Sequence, residues 1–243
     1  MKKVLSLALT FALASSAFAG IAGAAELTTN DKFDALVTQG IFAGVDAAGT
    51  PGLEMNMNRA QLAVILAKLN DKVQAPAAST YTDVVASHWG KGWIGAVTEA
   101  KLMEGLGGNK FGPANTVSYE MLATVIAKSK GLTAATTTTV TGVSNWAKGW
   151  VQTALDAKLI TPQTDYTKLA PRGALVDSAY VVYEAKIVAA IKSAKQIGAK
   201  SIEVTFVNPV AATQTVTVKS GFLPVDGKLV FNETRTVATF TTV

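Results

Sequence analysis

Apolar residues recur at helical spacing along three stretches of this chain, and past about Ala194 they recur at every second position. From Asp31 to Asp71, Phe33, Leu36, Val37 and Ile41 share one helical face, closed by Gly40 and Gly44. Gly49-Thr50-Pro51-Gly52 predicts a turn, and Leu62, Ile65, Leu66 and Leu69 predict a second helix capped by Asn58. Tyr81 to Leu132 repeats the plan. Trp93, Val97, Ala100 and Leu102 form the first face, Gly105, Gly107 and Gly108 the turn, Ser118 the cap, and Leu122, Val125 and Ile126 the second face. Matching Ala67 with Ala127 sets the offset at 60 residues.

A third copy follows the threonine run Thr136–Thr139, which reads as a solvated linker. Trp146-Ala147-Lys148-Gly149-Trp150 echoes Trp89-Gly90-Lys91-Gly92-Trp93 at an offset of 57, and Asp156-Ala157-Lys158-Leu159 echoes Glu99-Ala100-Lys101-Leu102. Pro171-Arg172-Gly173-Ala174-Leu175 stands where Asn58-Arg59-Ala60-Gln61-Leu62 stands in the first copy, and Leu175, Ala179 and Val182 continue the face. Repetition at this spacing marks a modular array. The tail then alternates with period two over Ser201–Phe206, Thr213–Lys219 and Lys228–Phe231, with a further β-rich run over Thr236–Phe240 and turns at Gly221, Pro224 and Gly227. A complete β-sandwich takes about 100 residues, so this tail is expected to be the start of a longer domain.

Composition narrows the class. Of 243 residues 49% are hydrophobic and 16% charged, enough for a packed core and too little charge for a disordered chain. The 22 basic residues exceed the 17 acidic ones only mildly once Lys2 and Lys3 are set aside. That excess does not predict a nucleic-acid partner, which would want a dense cationic stripe. Lys2-Lys3, the apolar run Val4–Ala14 and the small residues after it have the grammar of an export signal over residues 1–25, with cleavage expected after Ala19 or Ala25. The apolar run is too short to cross about 30 Å of hydrocarbon, and no later stretch approaches a membrane span. The absence of cysteine and the single histidine remove disulfides and the usual zinc sites, and no cofactor is implied.

Catalytic patterns are weak. His88 with Asp83 and Ser87 lacks a nucleophile elbow, and Leu106-Gly107-Gly108-Asn109-Lys110 lacks the spacing of a phosphate loop. Glu99 and Glu104 lie on a repeat helix and at its end, a poor setting for a glycosidase pair. The chain is not expected to be an enzyme.

Tyr81-Thr82-Asp83-Val84, His88-Trp89, Asn109-Lys110-Phe111-Gly112-Pro113 and Ser118-Tyr119-Glu120 resemble the pattern of S-layer homology domains, outlined as F-x-D-V, H-W, G-x-F-x-P and T-R-A-E. The first copy keeps Asn58-Arg59-Ala60-Gln61, and the third keeps Trp146 and Pro171-Arg172-Gly173-Ala174 with Gly142 where the aspartate would stand. The resemblance covers about Asp31 to Ala190. It implies a mainly α fold, three helical repeats in a pseudo-threefold bundle over residues 26–75, 79–133 and 140–194, followed by an incomplete Ig-like β domain over 198–243. It further implies a secreted cell-wall protein that anchors a surface layer non-covalently. Its partners would be secondary cell-wall polysaccharide, commonly bearing a pyruvate ketal, and other copies of itself in a lattice. The anchor module of an exported enzyme, or a repeat protein binding another surface protein, are the alternative readings.

In that family the grooves combine the arginine of one repeat with the aspartate and tryptophan opening of the next. The resemblance therefore puts Arg59 with Asp83, His88 and Trp89 in the groove between repeats one and two. Tyr119 and Trp146 would face each other between repeats two and three, with Gly142 for the aspartate. Arg172 would meet only Asn30 and Asp31 between repeats three and one. Arg59 is the expected main contact, because a guanidinium fork binds a carboxylate bidentately. For Asp83 a capping role within its own repeat is an alternative, for His88 that of a hydrogen-bonded spacer, and for Trp89 and Trp146 that of packing. Trp93 and Trp150 are expected in the core.

Overall fold

The computed structural model of the chain describes residues 6–11, 27–207, 215–220, 223–224 and 227–242. The expected signal-cleavage positions Ala19 and Ala25, and the tail residues Thr213 and Gly221, lie outside the described residues. The elements run β1 (Ser6–Phe11), α1 (Thr29–Thr38), α2 (Arg59–Leu69), α3 (Lys91–Glu99), α4 (Tyr119–Ser129), α5 (Lys148–Asp156), α6 (Arg172–Ala190), β2 (Ile191–Gly198), β3 (Ser201–Phe206), β4 (Thr215–Ser220), β5 (Leu223–Pro224), β6 (Gly227–Phe231) and β7 (Val237–Thr242). A single 3-10 turn, Pro76–Ala78, precedes α3. Among the described residues the fold is mixed helix and sheet, where the resemblance implied a mainly α fold. The chain divides into two compact units, Gly40–Val182 and a second within Met1–Gln39 and Tyr183–Val243. α1 and the end of α6 fall in the same unit as the β-rich tail.

In Gly40–Val182 the helices begin where the caps require. Asn58 accepts from the Gln61 amide while the Gln61 side chain accepts from the Asn58 amide, a capping box for α2. Ser118 caps α4 through the Met121 amide. Leu62, Ile65, Leu66 and Leu69 of α2 and Leu122, Val125 and Ile126 of α4 are buried, as are Leu175, Ala179 and Val182 of α6. Ile94 of α3 is fully buried, whereas Trp93 beside it and Trp150 of α5 are only half-buried. These two tryptophans therefore lie at the core's edge rather than within it.

The starts of α2, α4 and α6 are tied in a closed cycle by paired backbone hydrogen bonds. The Arg59 and Ala60 amides donate to Asn115 and Pro113, those of Tyr119 and Glu120 to Lys168 and Tyr166, and those of Arg172 and Gly173 to Met55 and Leu53. Each second helix thereby uses its orphan N-terminal donors on the loop before another second helix. Isolated bridges Asn58–Thr116, Ser118–Leu169 and Asn56–Pro171 accompany the three junctions.

The other unit carries α1, capped by a box between Thr28 and Asp31, and the sheets. Phe33 and Leu36 of α1 are buried, while Val37, placed on the same face by its spacing, is 38% exposed. Strands pair in the order β2-β3-β7-β6, all antiparallel. Val204, Phe206, Ala238 and Phe240 form its buried face, with Phe206 stacked on Phe231 at 6.1 Å. β2 starts at once after α6 and was not legible as a strand, because Lys192, Ser193, Lys195 and Gln196 give it no apolar alternation. β1 runs parallel to β4, which pairs with β5. It lies inside the segment read as an export leader, so cleavage there would leave β4 with β5 alone.

Candidate functional site

Arg59 and Arg172 hold the same post at two of the three junctions. Arg59, 5% exposed, donates through Nε to the Phe111 carbonyl at 2.9 Å and through Nη2 to the Glu104 carbonyl at 2.6 Å. Its guanidinium lies 4.6 Å from the Phe111 ring centroid. Arg172, 8% exposed, donates through Nε to Pro51 O at 2.8 Å and through Nη2 to Ala43 O, and lies 5.1 Å from the Phe42 ring. Each arginine thus bridges the two arms of a glycine-containing loop. Burial lowers the Arg59 pKa from its ordinary value, with Tyr81 and Asp83 acting the other way; an arginine remains a cation throughout. Arg59 Nη1 makes no hydrogen bond among the described residues.

Asp83 braces the same loop from its other side. Its carboxylate accepts from the Phe111 and Gly112 amides, each at 2.8 Å. Burial works to raise its pKa, but these amide bonds outweigh it and hold the carboxyl below the ordinary aspartate value. Arg59 and Asp83 are therefore brought together around Phe111. His88 and Trp89 do not complete that pair. His88 Nδ1 accepts from the Gly90 amide at 3.0 Å, its ring stacked on Trp89 at 5.5 Å, and Trp89 is 60% exposed.

The third repeat does without the aspartate. Gly142 has φ +66°, and a Cβ there would meet Thr164 O at 2.2 Å, so only glycine fits this approach. Its carbonyl accepts from the Tyr166 amide at 2.7 Å. The loop leading to Trp146 is held instead by the buried Glu120, whose carboxylate accepts from the Ser144 amide at 2.9 Å and from Ser144 Oγ at 3.0 Å. Tyr119, at the arginine position, is half-buried and its hydroxyl makes no hydrogen bond among the described residues.

A cleft of about 380 Å³ opens between α4 and α5, within the size range of small-ligand sites, roughly 300–1,000 Å³. Its walls include Trp146, Trp150, Lys128, Glu104, Glu120 and Arg59. Trp146 is 55% exposed, an apolar face standing in solvent at the entry to α5. Lys128 Nζ lies 5.4 Å from the Trp150 ring and donates to Glu104 Oε1 at 2.9 Å. An aromatic face beside cationic and carbonyl-rich groups suits a sugar ring with polar substituents.

Arg59 lines one cleft with Trp146, and its Nη2 reaches the Glu104 carbonyl of the second repeat's loop. Arg172 is engaged by Ala43 and Pro51 of the first repeat. Lys128, Trp150 and Glu104 were missed as site residues. Lys128 repeats Lys68 at the same offset of 60 as Ala127 and Ala67, a signal present in the sequence. Among the described residues no group of three or more His, Cys, Asp or Glu is placed to hold a metal, and no helix is long and apolar enough to cross a membrane.

Repeated helix pairs with tryptophans at the edge of a cleft define a helical repeat module. Residues 80–120, the span that contains Asp83, Trp89 and Phe111, match the S-layer homology domain. The chain is also 28% identical over 185 residues to a middle cell wall protein of Brevibacillus brevis, a match spanning 71% of this chain and 17% of that protein. Over 143 residues it is 28% identical to a surface layer protein of Brevibacillus choshinensis, spanning 54% of this chain and 13% of the relative. The chain thus spans less than a fifth of the length of either relative. It is similar to cell-wall and surface-layer proteins, and its residues 80–120 match the S-layer homology domain.

Proposed function

We propose that this chain anchors a surface protein to the cell wall by holding wall polysaccharide in tryptophan-edged clefts between consecutive repeats. The observation that carries the reading is the cleft between α4 and α5, where the exposed Trp146 stands beside Lys128 and Arg59. A large aromatic left in solvent gains most when a ligand covers it. A sugar ring stacked on Trp146 brings its hydroxyls towards Lys128 and the unspent Nη1 of Arg59, and an anionic substituent elsewhere on the polymer, such as a pyruvate-ketal carboxylate, suits a cation of the repeats. Arg59 in this reading is first a frame residue, with two of its nitrogens spent on Phe111 and Glu104 carbonyls. Trp89, with Trp93 and Lys68, supplies the corresponding set one repeat earlier.

The cyclic backbone bonds at Arg59, Tyr119 and Arg172 support a pseudo-threefold arrangement of repeats. The β-rich tail is Ig-like in this reading, and further copies of the chain are its neighbours in a surface lattice. Neither relative's name is that of an enzyme, and the reading asks for binding alone. A pull-down of the full chain on purified walls, against walls stripped of their polysaccharide, tests it. Retention on intact walls and loss on stripped ones is expected, and equal retention on both contradicts it.

A further inference from the structure

Lys68 and Lys128 occupy the same position of the second helix in the first two repeats, and each ammonium lies over the second tryptophan of the repeat that follows. Lys128 Nζ stands 5.4 Å from the Trp150 centroid and Lys68 Nζ 6.0 Å from that of Trp93. What else reaches the two ammonium groups differs. Lys128 is engaged by Glu104 at 2.9 Å. Ala43 holds the position of Glu104 in the first repeat, an equivalence fixed by the arginines, since Arg59 Nη2 donates to Glu104 O as Arg172 Nη2 does to Ala43 O. Among the described residues no carboxylate stands within ion-pair distance of Lys68.

The Glu104 side chain is 73% exposed and that of Lys128 20%. A pair so open to water is weak and exchanges readily. An anion approaching Lys128 must nevertheless displace Glu104 and then sit beside its negative charge. A neutral sugar on Trp146 meets neither obstacle. At Lys68 an anion meets a cation with no acid to displace.

We propose that Glu104 is a specificity-determining residue: it turns the Trp146 cleft towards uncharged sugar and leaves anionic substituents to the Lys68 position. The proposal rests on the polysaccharide reading above. It makes the two tryptophan sites complementary, so that one polymer with spaced acidic groups engages both in a fixed register.

The four tryptophans make the test site-resolved, because each indole N–H gives its own NMR signal. The full chain and its Glu104→Gln variant are titrated with a methyl hexoside carrying a pyruvate ketal and with the plain methyl hexoside. In the variant, ketal affinity read at the Trp146 and Trp150 signals is expected to rise about fivefold in low salt, and the gain to shrink as salt screens the charges. Plain-hexoside affinity stays as in the wild type, and ketal affinity read at Trp89 and Trp93 does not change. Lys68→Gln is expected to weaken ketal binding at Trp89 and Trp93 only. An equal gain for both sugars, or no gain for either, overturns the role of Glu104 while leaving polysaccharide binding standing. If neither sugar moves any indole signal of the wild type, the polysaccharide reading falls and this proposal with it. Glu104→Ala serves as the second variant, its exposed position keeping the fold intact.

Discussion

At Arg59 one repeat grips the next with a side chain, and at Tyr119 it does so without one. The first junction has a guanidinium across the Glu104 and Phe111 carbonyls and a carboxylate on the Phe111 and Gly112 amides. The second keeps the backbone pair from Tyr119 and Glu120 to Lys168 and Tyr166. There it substitutes a glycine approach at Gly142 and the Glu120 carboxylate on Ser144. The backbone bonds are common to both; the side-chain brace is interchangeable. A junction can therefore lose its arginine and its aspartate together and still be held, provided other groups brace the loops in their place.

The comparison breaks first at the arginine. Arg59→Ala leaves two carbonyls without their donors at a buried position and is expected to cost about 3 kcal/mol. Tyr119→Phe is expected to change stability by less than about 0.5 kcal/mol, because no bond is lost. Denaturation followed by tryptophan fluorescence checks both, since Trp89, Trp93, Trp146 and Trp150 all lie within Gly40–Val182 and report on that unit alone. A Tyr119→Phe loss as large as that of Arg59→Ala would end the contrast.

The glycine substitution comes next. Gly142→Ala forces a Cβ onto the Thr164 carbonyl in a left-handed conformation and is expected to cost about 2–3 kcal/mol. Gly40, with φ +69° and open space where a Cβ would stand, serves as the control. Gly40→Ala is expected to cost about 1 kcal/mol, from the backbone alone. The same denaturation measurement ranks the two, and equal losses would take the Thr164 approach out of the account.

A smaller effect concerns acid. Because the folded state holds Asp83 below its ordinary pKa, its contribution is present above the unfolded value of about 4 and lost as pH falls through the folded one. Asp83→Asn is expected to cost about 1–2 kcal/mol at neutral pH. The gap between variant and wild type is expected to close in acid. A gap that stays constant down to the acid transition would remove the carboxylate from the account.

The helices were legible because their local signals agree. Leu62, Ile65, Leu66 and Leu69 repeat at helical spacing behind the cap Asn58, and Leu122, Val125 and Ile126 do so behind Ser118. The three copies were legible for the same reason, as fixed offsets between like residues. Partnership across the cleft was not. Arg59 and Trp146 are far apart in the chain, and that both line one cleft depends on how the folded repeats pack. The half-burial of Trp93 and Trp150 was hidden likewise, since a tryptophan at a core-facing position reads the same whether a lysine or another helix covers it. β2 gave no signal because its polar residues suit a surface helix as well as an edge strand.

The claim at the centre of this account is that Trp146 is a ligand platform and not a packing residue. Titration of solubilised wall polysaccharide into the wild type and into Trp146→Ala tests it most directly. Loss of the stacking face is expected to weaken binding about tenfold, with the denaturation midpoint unchanged because the side chain is already 55% exposed. Wild-type affinity in Trp146→Ala, or a fall in affinity that only follows a loss of stability, would contradict it.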